Sequence, residues 1–330
     1  MPAPELPVPR ILAVLGPVLA VLAGSLLAVQ SRINGVLGTS LGDPVTAAFT
    51  AVVVGLVVVS AAGVLTRRGR NGARRLVDGL RDGGLRWWFL LAGLVGAVFV
   101  FAQTRTVETL GVSVLLLAVV VGQSVGGLAV DRWGVGPGGV RLVTGRRVLG
   151  TVLVVGAVLV AVSPRLSGAG QGLSVLVLLP LAAGTLMPLQ TALNGRIGSA
   201  AGTPITPTLT NFLVAAAGLG AVTAVHRAAA DPPAWSWAGP WWQWTGGPLG
   251  VLAVGAGALL ARWIGVLQTS LGVVTGMLVG GLAVDVLMPS PGTVVAPLTV
   301  LGTALTLVGL VVTSWPGRAG PGPVGVPGRN

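Results

Sequence analysis

Among the polar residues inside or at the edges of long apolar runs, six carboxamides and two carboxylates are candidates for chemistry: Gln30, Asn34, Gln123, Gln190, Asn194 and Asn211, with Asp131 and Asp285. An amide offers donors and an acceptor but no nucleophile. The chemistry open to this set is therefore recognition of a polar solute. Carboxylates within a membrane mark proton or cation pathways, which makes Asp131 and Asp285 candidates for proton or cation coupling. Gln30 and Asn34 are four residues apart, as are Gln190 and Asn194, so each pair shares a helix face. Nothing here suggests catalysis. There is no Cys, and the one histidine, His226, reads as a solvated residue of a polar connection. No Ser/His/Asp set, metal-ligand cluster or phosphate loop stands out, so no enzyme activity, cofactor or metal is expected.

Each candidate has a plainer role. The four paired amides, placed at span ends, could cap helices or hydrogen-bond between them, worth about 0.6–2 kcal/mol each. Gln123, deep in an apolar run, needs partners because an unpaired amide in hydrocarbon costs several kcal/mol, and Asn211 has the same status. Asp131 has Arg132 beside it, whereas Asp285 lies between Val284 and Val286. Asp285 is therefore the stronger candidate for a functional role. Each acid ends a span, facing the negative end of a helix dipole. Arg105 and Glu108 are expected to pair in a surface loop.

The elements that must hold these residues are membrane spans. Hydrophobic residues make up 53% of the 330 and charged ones 8%, against roughly 25% charged in soluble domains. Apolar runs cover about 11–31, 45–65, 87–104, 108–130, 147–163, 173–191, 205–225, 248–268, 270–288 and 294–314. Most approach the roughly 20 residues needed to cross a bilayer. The first is long for a signal peptide and lacks an obvious cleavage site. The net charge of +12 comes from arginines in short connections, such as the seven within 66–86. That pattern indicates cytoplasmic loops and not nucleic-acid binding. Fifteen of the twenty arginines fall inside when both termini are cytoplasmic. Residues 1–10 and 318–330 are expected to be disordered tails, and the Trp-rich 231–247 an aromatic belt or a lid on the outer face.

A repeat organises the spans. Residues 30–50 and 190–210 match without a gap at eight of 21 positions, including Gln30/Gln190, Asn34/Asn194, Gly42/Gly202 and Pro44/Pro204. The glycines between read as turn residues. "GGLAVD" recurs at Gly126–Asp131 and Gly280–Asp285, with a spacing that places a short deletion in the fourth span of the second half. Five spans followed by a copy force the copy in from the opposite side. The expected fold is all-α and integral to the membrane, ten transmembrane helices in a 5+5 inverted-topology repeat, with halves at 11–164 and 165–317. Such repeats hold substrate sites between them, near the bilayer midplane.

The "Q-x-x-[IL]-N-G-x-[LI]-G" after the first run, "RWWFLLAGLVGAVFVFA" (Arg86–Ala102) and "LGVSVLLLAVVVGQSVGGLAVDRWG" (Leu110–Gly134) resemble the YdcZ-like branch of the drug/metabolite transporter superfamily. That resemblance covers most of the first half and, more weakly, the second, and it marks the chain as a fused pair of five-span units. It implies a bacterial inner-membrane transporter of small metabolites working by alternating access. Gln123 in "GQSVGG" is typical of the family, while the second half has Met277 in "GMLVGG". The expected partners are a small-molecule substrate and the lipid bilayer. Substrate, direction, coupling ion and oligomeric state are not fixed by the sequence. The competing reading is a membrane scaffold or accessory subunit, and a third is a passive channel. Buried polar groups along a path favour transport; a dry interface favours a scaffold.

Overall fold

The computed structural model describes residues 10–135, 139–140, 144–168, 171–230, 233–234, 239–290 and 295–314, and among them every regular element is helical. In chain order these are α1 (Arg10–Ser40), α2 (Pro44–Leu65), α3 (Arg67–Arg81), α4 (Ala92–Leu110), α5 (Val112–Trp133), α6 (Gly145–Gly168), α7 (Gln171–Ala201), α8 (Ile205–Ala230), α9 (Gly246–Trp263), α10 (Val266–Leu287) and α11 (Pro297–Ser314). Short 3-10 turns, Trp87–Leu91 and Trp241–Thr245, lead into α4 and α9. Among the described residues, seven helices are long and apolar enough to cross a membrane. Two shorter apolar stretches accompany them, Val148–Ala161 and Pro297–Val311. The expected count of ten is thus met by seven on length and composition. The expected terminal tails lie, apart from Arg10, outside the described residues.

An all-round apolar helix belongs in the middle of its bundle, and α5 is that helix: Val112 through Gly122 are all buried. Leu115, Leu116 and Val119 pack with Ala28, Ala183 and Met277 in one core cluster, while Leu117, Val120 and Val121 pack with Val154, Val158 and Leu278 in a second. The Arg-rich α3 lies across the ends of α7 and α8. Its buried Gly72 sits against Thr203 and Thr206, and its arginines point outward.

Close approach between helices is made by glycines, and it is made twice. A Cβ on Gly24 (α1) would strike the Val273 carbonyl oxygen (α10), and one on Gly276 (α10) would strike that of Val21 (α1). In the other pair a Cβ on Gly184 (α7) would strike the Val119 oxygen (α5), and one on Gly122 (α5) that of Leu181 (α7). Each contact maps onto its counterpart by 160 residues on α1/α7 and 154 on α5/α10. Small residues let backbones approach this closely where lipid offers no hydrophobic drive.

Three expectations need correction. The six-residue difference is not in the fourth span of the second half. It already separates Gly93, packed on Asn211, from Gly247, packed on Ala51 and Gly55, and it separates Trp87–Leu91 from Trp241–Thr245. The shortening therefore lies in the connection between second and third spans, where the first half carries α3. Next, α1 and α7 run about ten residues past the expected span ends, to Ser40 and Ala201. Gly35 and Gly38 are helical, tucked against Val107 and Thr104 of α4, so they are packing residues. Within the repeated stretch it is Gly42 and Gly202 that turn the chain, with φ of 62° and 70°. A left-handed residue there suits glycine alone. Finally, Arg105 and Glu108 are not a loop pair. Both belong to α4, and Glu108 pairs with Arg32 of α1, whose Nε also donates to the Met288 carbonyl at 3.0 Å.

Candidate functional site

Because α1 and α7 continue as helices, the paired amides sit well inside them. Gln30 and Asn34 are buried at 5% and 0% exposure, and Gln190 and Asn194 are half-buried. Facing them are helical glycines. On α9, Gly250 stands where a Cβ would lie 2.7 Å from Gln30 Nε2, and Gly246 backs onto Asn34 Oδ1. On α4, Gly96 stands where a Cβ would lie 3.1 Å from Gln190 Nε2. The same two-fold register seen in the glycine clasps therefore sets the amides.

Polar satisfaction is incomplete. Asn34 Nδ2 donates to Gln103 Oε1 at 2.7 Å, and Gln103 Nε2 donates to Ser31 Oγ at 2.8 Å. Yet the side-chain oxygens of Gln30, Asn34, Asn194 and Asn211 are buried with no hydrogen-bond partner among the described residues. An orphaned acceptor in a buried site costs about 1–3 kcal/mol. Helix α4 runs along the group: Gly93 packs on Asn211, Gly96 on Gln190, and Gln103 reaches Asn34. Gln103, fully buried, was missed from sequence because the apolar run ended just after it. The signal was an amide directly following the apolar Phe99–Ala102.

Gln123 is half-buried on α5, and its Nε2 donates to the Met187 sulfur at 3.3 Å, a weak acceptor one turn from Gln190 on α7. Its contact is thus with α7, the helix that carries Gln190 and Asn194.

The acids behave differently from expectation. Asp285 does not lack a partner. It is 1% exposed, and its carboxylate accepts from Val112 N and Ser113 N at 2.8 Å each and from Ser113 Oγ. It ends α10 in sequence, but its charge lies on the first turn of α5, where backbone N–H groups and the dipole favour an anion. The unfavourable helix-end placement inferred from sequence is thereby reversed. Asp131, at the end of α5, is half-buried.

His226 is likewise not a loop residue. It belongs to α8, and its Nε2 lies 3.3 Å from Asp43 Oδ1. Asp43 caps α2, accepting from Val45 N and Thr46 N as its sequence position before Pro44 predicts. Beside this pair opens a pocket of about 370 Å³ lined in part by Val45, Phe101, Arg105 and Pro233. None of the six amides lines it. Of the Trp-rich stretch, Trp241 is 78% exposed, while Trp244 packs against the Leu37 cluster.

Comparison with known proteins gives two matches. Residues 15–160 and again 175–312 match the family described as "Putative inner membrane exporter, YdcZ". A stretch of 77 residues, 23% of this chain, is 36% identical to the Inner membrane protein YdcZ of Escherichia coli (strain K12). It covers 52% of that protein, so the chain spans about half the length of the curated relative it matches. No solved structure matches.

Proposed function

The chain belongs to the YdcZ family of inner membrane exporters, and from that premise we propose that it is a secondary transporter moving a small organic solute across the bacterial inner membrane by alternating access. In this reading ten helices cross the bilayer as a 5+5 inverted repeat, with α3 and both termini on the cytoplasmic side. The solute meets Gln30 and Asn34 of the first half, Gln190, Asn194 and Asn211 of the second, and Gln123 at the flank.

One observation carries the reading: the side-chain oxygens of Gln30, Asn34, Asn194 and Asn211 are buried without partners among the described residues. Burying an acceptor unpaired is unfavourable, and a donor-bearing solute relieves it during transit. A packing role for these amides would call for partners on both ends of each group. A dry scaffold interface would call for none of them. The repeated glycine register supports the two-fold arrangement, since it matches contacts of one half to contacts of the other.

The test is a thermal-shift screen of small organic cations, anions and neutral solutes on purified protein. A ligand at a hundred times its Kd stabilises by about 2.7 kcal/mol. The expected hit loses its effect in Asn34→Leu and Asn194→Leu while the unliganded protein stays folded. Stabilisation undiminished in both variants would move the site elsewhere, and a library with no hit would favour the scaffold.

A further inference from the structure

At one end of the bundle the N-terminus of α2 meets the C-terminus of α8, and the contact is ionic. Asp43 is 4% exposed, so water screens its charge poorly. The His226 side chain is 32% exposed and reaches solvent through the pocket. A second bridge runs alongside. Arg227 Nη1 donates to Thr46 Oγ1 at 3.2 Å, and Thr46 Oγ1 donates in turn to Asp43. Arg227 Nη2 also holds the Pro233 carbonyl at 3.1 Å.

The opposite end of the same helix pair lacks this device. Shifting by the 160-residue register puts Thr203 in place of Asp43 and Thr206 in place of Thr46, with Thr66 for His226 and Arg67 for Arg227. Thr203 still caps its helix, accepting from Ile205 N at 3.3 Å. Thr66 serves α3 instead, accepting from Gly69 N at 3.0 Å. There, Gly72 of α3 covers Thr203 and Thr206. One end of a two-fold pair is thus closed by packing and the other by a carboxylate and an imidazole.

We propose that Asp43 and His226 form a proton-operated latch between the repeats, whose ligand is a proton taken from water through the pocket. Imidazole is the side chain whose ordinary charge change falls between pH 5 and 8. A proton added to the ring makes both nitrogens donors and sets a positive charge against the buried carboxylate. The hydrogen bond becomes charge-assisted and stronger. Among the described residues, the charged groups facing the ring are Asp43 from the α2 cap, Arg105 from α4 across the pocket, and the adjoining Arg227. Glu108, one turn from Arg105, is held by Arg32. A positive ring strengthens the direct 3.3 Å contact to Asp43, so acid closes this end and base loosens it.

The latch goes beyond the transport reading, and its test reads opening and not transport. The chain has no Cys, so nitroxides can be placed at Thr39→Cys on α1 and Ala229→Cys on α8, both exposed and one in each half. Distances are measured by pulsed electron resonance in lipid nanodiscs at pH 5.5 and 8. The expected result is a shorter, narrower distribution at pH 5.5 that broadens outward at pH 8, with His226→Gln and Asp43→Asn each insensitive to pH. Asparagine keeps an oxygen for the cap, so the second variant preserves α2. The proposal is overturned by distributions in the parent that do not change with pH, or by a pH response that survives in either variant. If neither variant folds, the single histidine gives one resonance in ¹⁵N-histidine-labelled parent. Its titration must then track the distance change, and a titration without that change overturns the latch.

Discussion

Removing the Asp285 carboxylate should unlock the start of α5. In Asp285→Ala the N–H groups of Val112 and Ser113 lose their acceptor at full burial. Each unsatisfied donor costs about 1–3 kcal/mol, so the loss is about 2–6 kcal/mol. In Asp285→Asn one oxygen remains, and roughly half that loss is expected. At about 2–4 °C per kcal/mol, Asp285→Ala then lowers Tm by roughly 4–24 °C. Ser113→Ala, which removes only the hydroxyl partner, costs about 1 kcal/mol. The assay is thermal unfolding of purified protein followed by the fluorescence of its ten tryptophans. The order parent, Ser113→Ala, Asp285→Asn, Asp285→Ala is the prediction. An unchanged Tm in Asp285→Ala, coupled with lost transport, would refute the capping argument and return Asp285 to the role of an ion carrier.

Gly276→Ala and Gly122→Ala should each destabilise by about 1–3 kcal/mol through overpacking, because a Cβ there meets a carbonyl oxygen of the facing helix. Gly127→Ala, with open space around it, is the neutral control, and melting temperatures decide the comparison. Gln123→Leu should keep the fold, since its partner is a thioether sulfur, while weakening solute binding in the ligand screen; full binding would leave Gln123 a packing residue. For topology, a thiol at Ala234→Cys should react with impermeant reagent from the periplasmic side and one at Asp78→Cys from the cytoplasmic side. Labelling of both from one side would defeat the inverted arrangement.

The repeat was legible in sequence because it is written in residues that backbones need: a left-handed glycine, a capping position and a proline recur at 42–44 and 202–204. The apolar spans were legible for the same reason that membranes demand them. What failed was the reading of polar residues as breaks. The stretch after Gln30 looks like a loop by composition, yet it continues as helix because α4 supplies partners from across the bundle. Asp285 looked unpaired because its neighbours in sequence are valines, while its true partners lie more than 170 residues away on α5. His226 was misplaced by the same logic, since its partner is a cap in the other half. Local periodicity finds elements; it does not find the atom that meets a buried charge.

The glycine clasps join the first helix of one half to the fourth helix of the other, and this sets a timetable for biogenesis. Gly276 is translated some 250 residues after Gly24. At about 5–20 residues per second, α1 waits roughly 12–50 s in the membrane before its partner is synthesised. Meanwhile the groove that will receive α10 is open to lipid or to another nascent chain. Helix α7, by contrast, emerges when α5 is already in place. The two clasps are equivalent in the finished molecule and unequal in the order of their making, so substitutions at Gly24 should impair assembly in living cells more than the same substitutions at Gly184.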